Sequence, residues 1–146
     1  MVFAMKVAET MSFQQYWDDS RFRSKKPNLL SSKKNAFGDN IYSYSDGRWK
    51  QTDSHHSFAD GSPNPRNIAN DTQTDRVLIS SEYIYWGGSG PVIPERFRNV
   101  NGIDVCAGRG YKSNFPASFV ISFVAWLKEY EEQGYVGEPL DWHLTP

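Results

Sequence analysis

The sequence has little of what defines several large classes of protein. Its single cysteine, Cys106, excludes an intramolecular disulfide. The longest apolar run, 119–127, is interrupted by Ser122 and is far too short to cross a bilayer. The formal net charge is −1, so no overall positive field indicates nucleic-acid binding. The first residues lack the form of a signal peptide, and we expect a cytoplasmic protein without membrane partners.

Aromatic residues, by contrast, are abundant. They make up 15% of the 146 residues, which is more than one small core requires. The surplus indicates a surface on which rings stack against a ligand. A hydrophobic content of 38% is that of a globular protein, and the length predicts one domain over residues 1–146.

Local patterns predict an α+β fold. Ser12 is the expected cap of a short N-terminal helix over 13–19, and a longer C-terminal helix is expected over 117–133. The apolar stripe of the longer helix consists of Phe119, Val120, Phe123, Val124, Leu127 and Tyr130. Apolar stretches bounded by turn residues predict strands at 2–8, 39–44, 48–51, 76–80 and 82–88. We expect these strands to form a small, curved or barrel-like mixed sheet.

The polar tract over 37–75 is the most informative stretch of the chain. It mixes Asp, Asn, Ser, Gly and Pro with Trp49 and the adjacent pair His55 and His56. A flexible linker would have a more monotonous Gly/Ser composition. Because structureless loops of this length are uncommon inside compact domains, we predict a folded loop with a functional role.

His55 and His56 are the candidate catalytic residues. Imidazoles supply acid–base catalysis, hydrogen bonds to phosphate, or metal ligands. If the segment is extended, the two rings point to opposite faces, so one of them would face a given site. No spacing typical of a metal site is present, and neither a metal nor another cofactor is predicted; the available partners are Asp53, Asp60, Cys106 and His143.

A sharper enzymatic alternative depends on a repeated pattern. The segments beginning at His55 and at His143 both contain His-x-Ser/Thr. Two such segments facing each other are similar to the site of two-histidine phosphoesterases, which cleave phosphodiesters by acid–base catalysis. The sequence around neither segment otherwise resembles that superfamily.

A run of aromatic residues followed by glycine is the candidate base-binding segment. Tyr83 and Tyr85 would share one face of a strand, and Ile84 and Trp86 the other. Either all four side chains pack in the core, or Tyr85 or Trp86 stacks on a base while Gly87 and Gly88 let the backbone approach the ligand.

The remaining nucleotide-binding candidates are polar, charged or aromatic side chains outside this run. Asp39 and Asn40 would either read the edge of a base or cap the hairpin. The expected phosphate contacts are Arg109 and Lys112, which lie in a glycine-containing basic loop. Asn64 would supply a polar contact. Trp49 would either pack in the core or stack on a base.

Several longer segments make the chain recognisable, among them KNAFGDNIY (34–42), DSHHSFADGSPNPRNI (53–68) and YIYWGGSGPVIPERF (83–97). Together they resemble one of the nucleotide-modification-associated domain families of bacteria, phages and other mobile elements. The resemblance implies a nucleotide or nucleic-acid ligand. It also implies that the domain lacks an N-terminal segment that family members carry before the strand at 2–8. The layout of this strand is similar, more weakly, to PUA-like barrels such as EVE domains.

Three functions are therefore open. The first is a binding module for a nucleotide or modified base. The second is a nucleotide-processing enzyme, either a phosphodiesterase or a base-modifying enzyme, that uses His55 or His56. The third is a non-catalytic accessory protein whose exposed sheet edge pairs with a protein partner or with a second copy in a homodimer.

Overall fold

A computed structural model of the protein describes residues 1–106, 108 and 111–138. The strands are β1 (Phe3–Lys6), β2 (Glu9–Met11), β3 (Tyr42–Ser45), β4 (Arg48–Gln51), β5 (Val77–Ile79), β6 (Glu82–Tyr85) and β7 (Gly134–Tyr135). The α-helices are α1 (Phe13–Asp18), α2 (Lys33–Ala36), α3 (Pro65–Asp71) and α4 (Ala117–Leu127). Short 3₁₀ helices cover Ser20–Lys25, Gly87–Ser89 and Glu95–Phe97.

These elements confirm the α+β class. The strands form three small sheets rather than one, and within the described ranges none of them closes into a barrel. The chain divides into two compact units. The first contains residues 1–6 and the described residues from 80 onward, and the second contains residues 7–79. A single domain over 1–146 stays a prediction.

The first unit is built on a three-stranded sheet in the order β1-β6-β7. Strand β6 is antiparallel to β1 and parallel to β7. The register aligns Phe3 with Tyr85, and Tyr85 with Tyr135, in one row across the sheet. Strand β1 is an outer strand, and its pairing with a protein partner or a second copy stays a prediction.

Aromatic rings form the core of the first unit. Phe97 is almost fully buried, and its ring meets those of Phe119, Phe123 and Trp126 at centroid distances of 5.1 to 5.7 Å. Rings of this size bury about 150–250 Å² each, so a few of them stabilise a small core.

Helix α4 is shorter than the sequence predicts, and only part of the predicted stripe lies inward. It ends at Leu127 rather than at residue 133. The residues beyond it are rich in glutamate, which is unfavourable at the negative end of a helix dipole. Val120 and Val124 of the predicted stripe are exposed, whereas Trp126 is buried. Since α4 contains only apolar residues and serine, its periodicity could not separate Val120 and Val124 from the side chains that face the core.

The turn after β6 is closed by the protein's own backbone. Gly87 has a φ of +58°, and a Cβ at this position would collide with the carbonyl oxygen of Glu138. A Cβ at Gly90 would likewise collide with the carbonyl oxygen of Met1. The glycines therefore permit two internal segments to pass close together.

The second unit contains the hairpin β3–β4 and the antiparallel pair β2–β5. The hairpin is confirmed, and its turn has positive φ at both Asp46 and Gly47, which matches the twist of the flanking strands. Helix α1 is also confirmed. The Ser12 hydroxyl accepts a hydrogen bond from the Gln15 backbone, and the Gln15 side chain accepts one from the Ser12 backbone.

The polar tract is folded, and it contains helix α3, which the sequence analysis did not predict. Asn64 caps this helix, because its Oδ1 accepts hydrogen bonds from the backbone N–H groups of Arg66 and Asn67. Pro65 occupies the first helical position, where a missing N–H costs nothing. The Asn64-Pro65 pair at the start of this segment was the signal in the sequence that could have predicted the helix.

Candidate functional site

Three side chains of the second unit meet at the end of helix α3, and we call them the histidine cluster: Tyr42, His56 and Asp71. The hydroxyl of Tyr42 donates to Oδ2 of Asp71 at 2.6 Å. Nδ1 of His56 lies 2.9 Å from the same carboxylate oxygen. The Tyr42 oxygen and His56 Nδ1 are 3.5 Å apart. One carboxylate oxygen therefore holds a phenol and an imidazole together.

Side-chain amides fix the backbone of His56. Its carbonyl oxygen accepts hydrogen bonds from Nδ2 of Asn67 at 2.7 Å and from Nε2 of Gln51 at 3.3 Å. Gln51, on strand β4, also accepts a hydrogen bond from the backbone N–H of Asn64 at 2.7 Å. The hairpin and helix α3 thus hold the histidine-bearing loop from two sides.

The loop around the histidines is a turn rather than an extended segment. The N–H of Ser57 donates to the carbonyl of Ser54 at 2.9 Å. Ser54 is buried, and its hydroxyl accepts a hydrogen bond from the N–H of His56. The extended geometry considered from the sequence is therefore absent. The rings of His55 and His56 lie next to each other, with centroids 4.3 Å apart.

Burial raises the pKa of Tyr42 above its ordinary value, and the hydrogen bond to the Asp71 carboxylate raises it further. Tyr42 is therefore a neutral donor at physiological pH. Because Asp71 accepts, the arrangement favours the tautomer in which His56 donates through Nδ1. Nε2 is then the basic nitrogen, and no described residue hydrogen-bonds it.

The histidine cluster is accessible from solvent. The side chains of His56 and Asp71 are 38% and 34% exposed, whereas Tyr42 is buried beneath them. A partly exposed imidazole with one nitrogen oriented by a carboxylate can accept a proton from a ligand or donate one to it. The geometry thus provides an acid–base group with a set orientation.

Three polar residues expected to bind nucleotide form hydrogen bonds within the second unit. Asn40 is almost fully buried and donates to the backbone carbonyls of Tyr16 and Phe22. Asp39 accepts a hydrogen bond from the Tyr16 hydroxyl at 2.9 Å. Asn64 caps helix α3 through the oxygen that would otherwise meet a base.

The aromatic candidates differ in how far they are buried, even where they are neighbours in the sequence. Trp86 is only 4% exposed and packs against Tyr130. Tyr85 is half-buried and lies on the opposite face of the sheet. Trp49 is half-buried and contacts the rings of Phe13 and Tyr44.

Gly87, Gly88 and Lys112 belong to the first unit. Gly87 faces the backbone of Glu138 rather than open space, whereas Gly88 is exposed. Lys112 is exposed and donates to the backbone carbonyl of Asp104 at 3.1 Å. Arg109 and His143 lie outside the described residues.

Residues that the sequence analysis missed complete the histidine cluster. Tyr42 and Asp71 are 29 residues apart, and no local spacing links them. Without a prediction of helix α3, nothing placed Asp71 or Asn67 beside the hairpin. In the described ranges, no three His, Cys, Asp or Glu residues are grouped so that they could hold a metal ion. No helix there is both long and apolar enough to span a membrane.

The comparison with known families decides the family. The sequence model of Nucleotide modification associated domain 2 matches residues 1–146. The chain belongs to this family. Membership confirms the resemblance seen in the sequence and links the protein to nucleic-acid modification. No curated protein and no solved structure matches the chain. The PUA-like analogy and the association with phages are not confirmed.

Proposed function

We propose that the protein binds a nucleotide, free or within a nucleic acid, at the histidine cluster of its second unit. The observation that carries this proposal is the 2.9 Å contact between Nδ1 of His56 and Asp71, with both side chains partly exposed. Membership of a nucleotide-modification-associated family supports a nucleotide rather than another polar ligand.

The chemistry of His56 suits such a ligand. With Nδ1 engaged by Asp71, a neutral ring accepts a hydrogen bond at Nε2 from a base amino or imino group. A protonated ring donates there to a phosphate oxygen. The hydrogen bonds from Asn67 and Gln51 to the His56 carbonyl keep the ring in place before the ligand arrives, which reduces the ordering cost of binding.

Ligand-dependent thermal stability tests the proposal. The purified protein is titrated with free, cyclic and modified nucleotides, and its unfolding midpoint is followed. We expect a stabilisation that rises with the concentration of one nucleotide class. His56→Ala should lose this stabilisation, while Gln73→Ala, an exposed change in the same unit, should keep it. A cooperatively unfolding protein that no nucleotide stabilises would contradict the proposal.

A second candidate function is acid–base catalysis on the bound nucleotide, and the pairing of His56 with Asp71 favours it. A general base whose second nitrogen is oriented by a carboxylate is a recurrent arrangement in enzymes. Asp71→Asn should then lower turnover of the bound nucleotide by roughly 10²-fold or more, beyond any loss of nucleotide affinity. Turnover that survives His56→Ala unchanged would exclude this function and leave a binding module.

A further inference from the structure

The sheet of the first unit carries an aromatic face that the histidine cluster does not use. Residues alternate between the two sides of a strand, and the register aligns the members of neighbouring strands. The Tyr135 ring lies 5.7 Å from that of Tyr83 and 5.5 Å from that of Tyr85, so the three rings share one side. We call this side the aromatic face; it consists of Phe3, Met5, Tyr83, Tyr85 and Tyr135.

The opposite side of the sheet is directed toward the aromatic core and helix α4. Trp86, which follows β6 on that side, packs against Tyr130. Ala4 and Ile84 line a groove of about 310 Å³ together with Leu127 of α4, and Met5 and Tyr83 also border this groove. The sheet therefore has one side that packs within the first unit and another that carries the aromatic face.

Both outer strands of the aromatic face carry an exposed ring. Phe3 on β1 and Tyr135 on β7 are each 56% exposed. Tyr85, between them in the same row, is half-buried, and its ring lies 5.5 Å from that of Tyr135. Exposing aromatic rings to water is unfavourable. Contiguous exposed apolar patches therefore mark binding surfaces more often than scattered apolar residues do.

We propose that the aromatic face binds single-stranded nucleic acid by stacking its bases on Phe3 and Tyr135. Aromatic side chains on an open sheet face stack two or three bases in known RNA-binding sheets. Adjacent strands are about 4.8 Å apart, so the Cα atoms of the two outer residues lie about 10 Å apart and each ring takes its own base. This activity goes beyond the nucleotide site proposed at His56, since it requires no residue of that unit.

The composition of the aromatic face predicts whether it binds single-stranded or double-stranded nucleic acid. None of its five side chains is charged, so stacking rather than phosphate contact supplies the binding free energy. Affinity for a single strand should therefore depend weakly on salt. Duplexes should bind much more weakly, because their bases are already paired and stacked.

Fluorescence anisotropy with labelled oligonucleotides tests the proposal on the full chain. The probes are a single-stranded DNA, a single-stranded RNA of the same sequence, and the matching DNA duplex. We expect Phe3→Ala and Tyr135→Ala each to weaken single-strand binding about tenfold. Tyr135→Phe keeps the ring and should retain binding, as should Val92→Ala, which changes a residue 90% exposed in the same unit.

Several results would overturn the proposal. These are no binding of either single strand, equal affinity for the duplex, or no effect of the two alanine variants in a protein that keeps its unfolding midpoint. The DNA and RNA probes distinguish the two sources of single strands. If His56→Ala abolishes oligonucleotide binding and Tyr135→Ala does not, the oligonucleotide belongs to the histidine cluster. Loss of mononucleotide binding in His56→Ala, with oligonucleotide binding intact, leaves the aromatic face as an independent site.

Discussion

Tyr42 joins the folding of the second unit to its candidate chemistry. Its ring is buried and contacts Phe13, while its hydroxyl donates to Asp71 and accepts from Gln51 at 3.4 Å. Burying a phenol hydroxyl without hydrogen-bond partners would destabilise the fold. Asp71 and Gln51 supply these partners to Tyr42. The orientation of His56 therefore depends on a residue that a ligand need not touch.

Replacing the Tyr42 hydroxyl should reveal this dependence. Tyr42→Phe leaves Asp71 without one of its donors and should lower the free energy of unfolding by about 1–2 kcal/mol at neutral pH. Because folding raises the pKa of Tyr42, its hydroxyl contributes fully below the unfolded value near pH 10 and progressively less above it. Urea unfolding between pH 8 and pH 11 should show the difference between wild type and variant shrinking as pH rises.

Tyr44→Phe is the matched control, since Tyr44 lies on the same strand but is exposed. It should change the free energy of unfolding little at any pH in this range. A difference for Tyr42→Phe that is constant from pH 8 to pH 11 would show that the hydroxyl titrates as in the unfolded chain.

At the scale of elements, the sequence predicted the features that depend on residues close together in the chain. The hairpin was predictable because Asp46-Gly47 favours its turn, and helix α1 because Ser12 and Gln15 form a capping box. The inward position of Phe119 and Phe123 on α4 was also predicted, but the buried Trp126 was not, because every side of that helix is apolar or small. His56 stood out as one of three histidines, but its partners come from β3 and α3, which meet only in the folded unit.

Helix α3 carries Asp71 at one end and its cap, Asn64, at the other. Asn64→Ala should destabilise the protein by about 1 kcal/mol, and it should weaken nucleotide binding because Asp71 is held less firmly. Asn64→Asp retains a capping oxygen and should restore both properties. Urea unfolding and nucleotide titration of the two variants provide the measurement.

The two Asn64 variants also distinguish positioning from contact. If the Asn64 amide touches the nucleotide, as the sequence analysis expected, Asn64→Asp should bind poorly although it is stable. If Asn64 acts through α3, nucleotide affinity should follow stability in both variants.

At the scale of the whole molecule, the second unit is one continuous stretch of chain, residues 7–79. Its ends are close together because β2 pairs with β5, and the N–H of Ala8 donates to the carbonyl of Ile79 at 2.9 Å. The histidine cluster and all the side chains that hold it belong to this stretch.

A fragment covering residues 7–79 should therefore fold alone, although its small core makes it less stable than the intact chain. We expect a cooperative thermal transition by circular dichroism and nucleotide stabilisation that His56→Ala removes. A fragment that shows no cooperative transition would instead support the single domain predicted from the sequence.

The glycine positions should differ in which amino-acid substitutions they tolerate. Gly47 has a positive φ with open space where a side chain would go, so asparagine should recur there among functional clones. Gly90 has an ordinary φ, but the carbonyl oxygen of Met1 occupies the place of its Cβ. A saturation library should therefore retain glycine alone at position 90, and that invariance would report packing rather than catalysis.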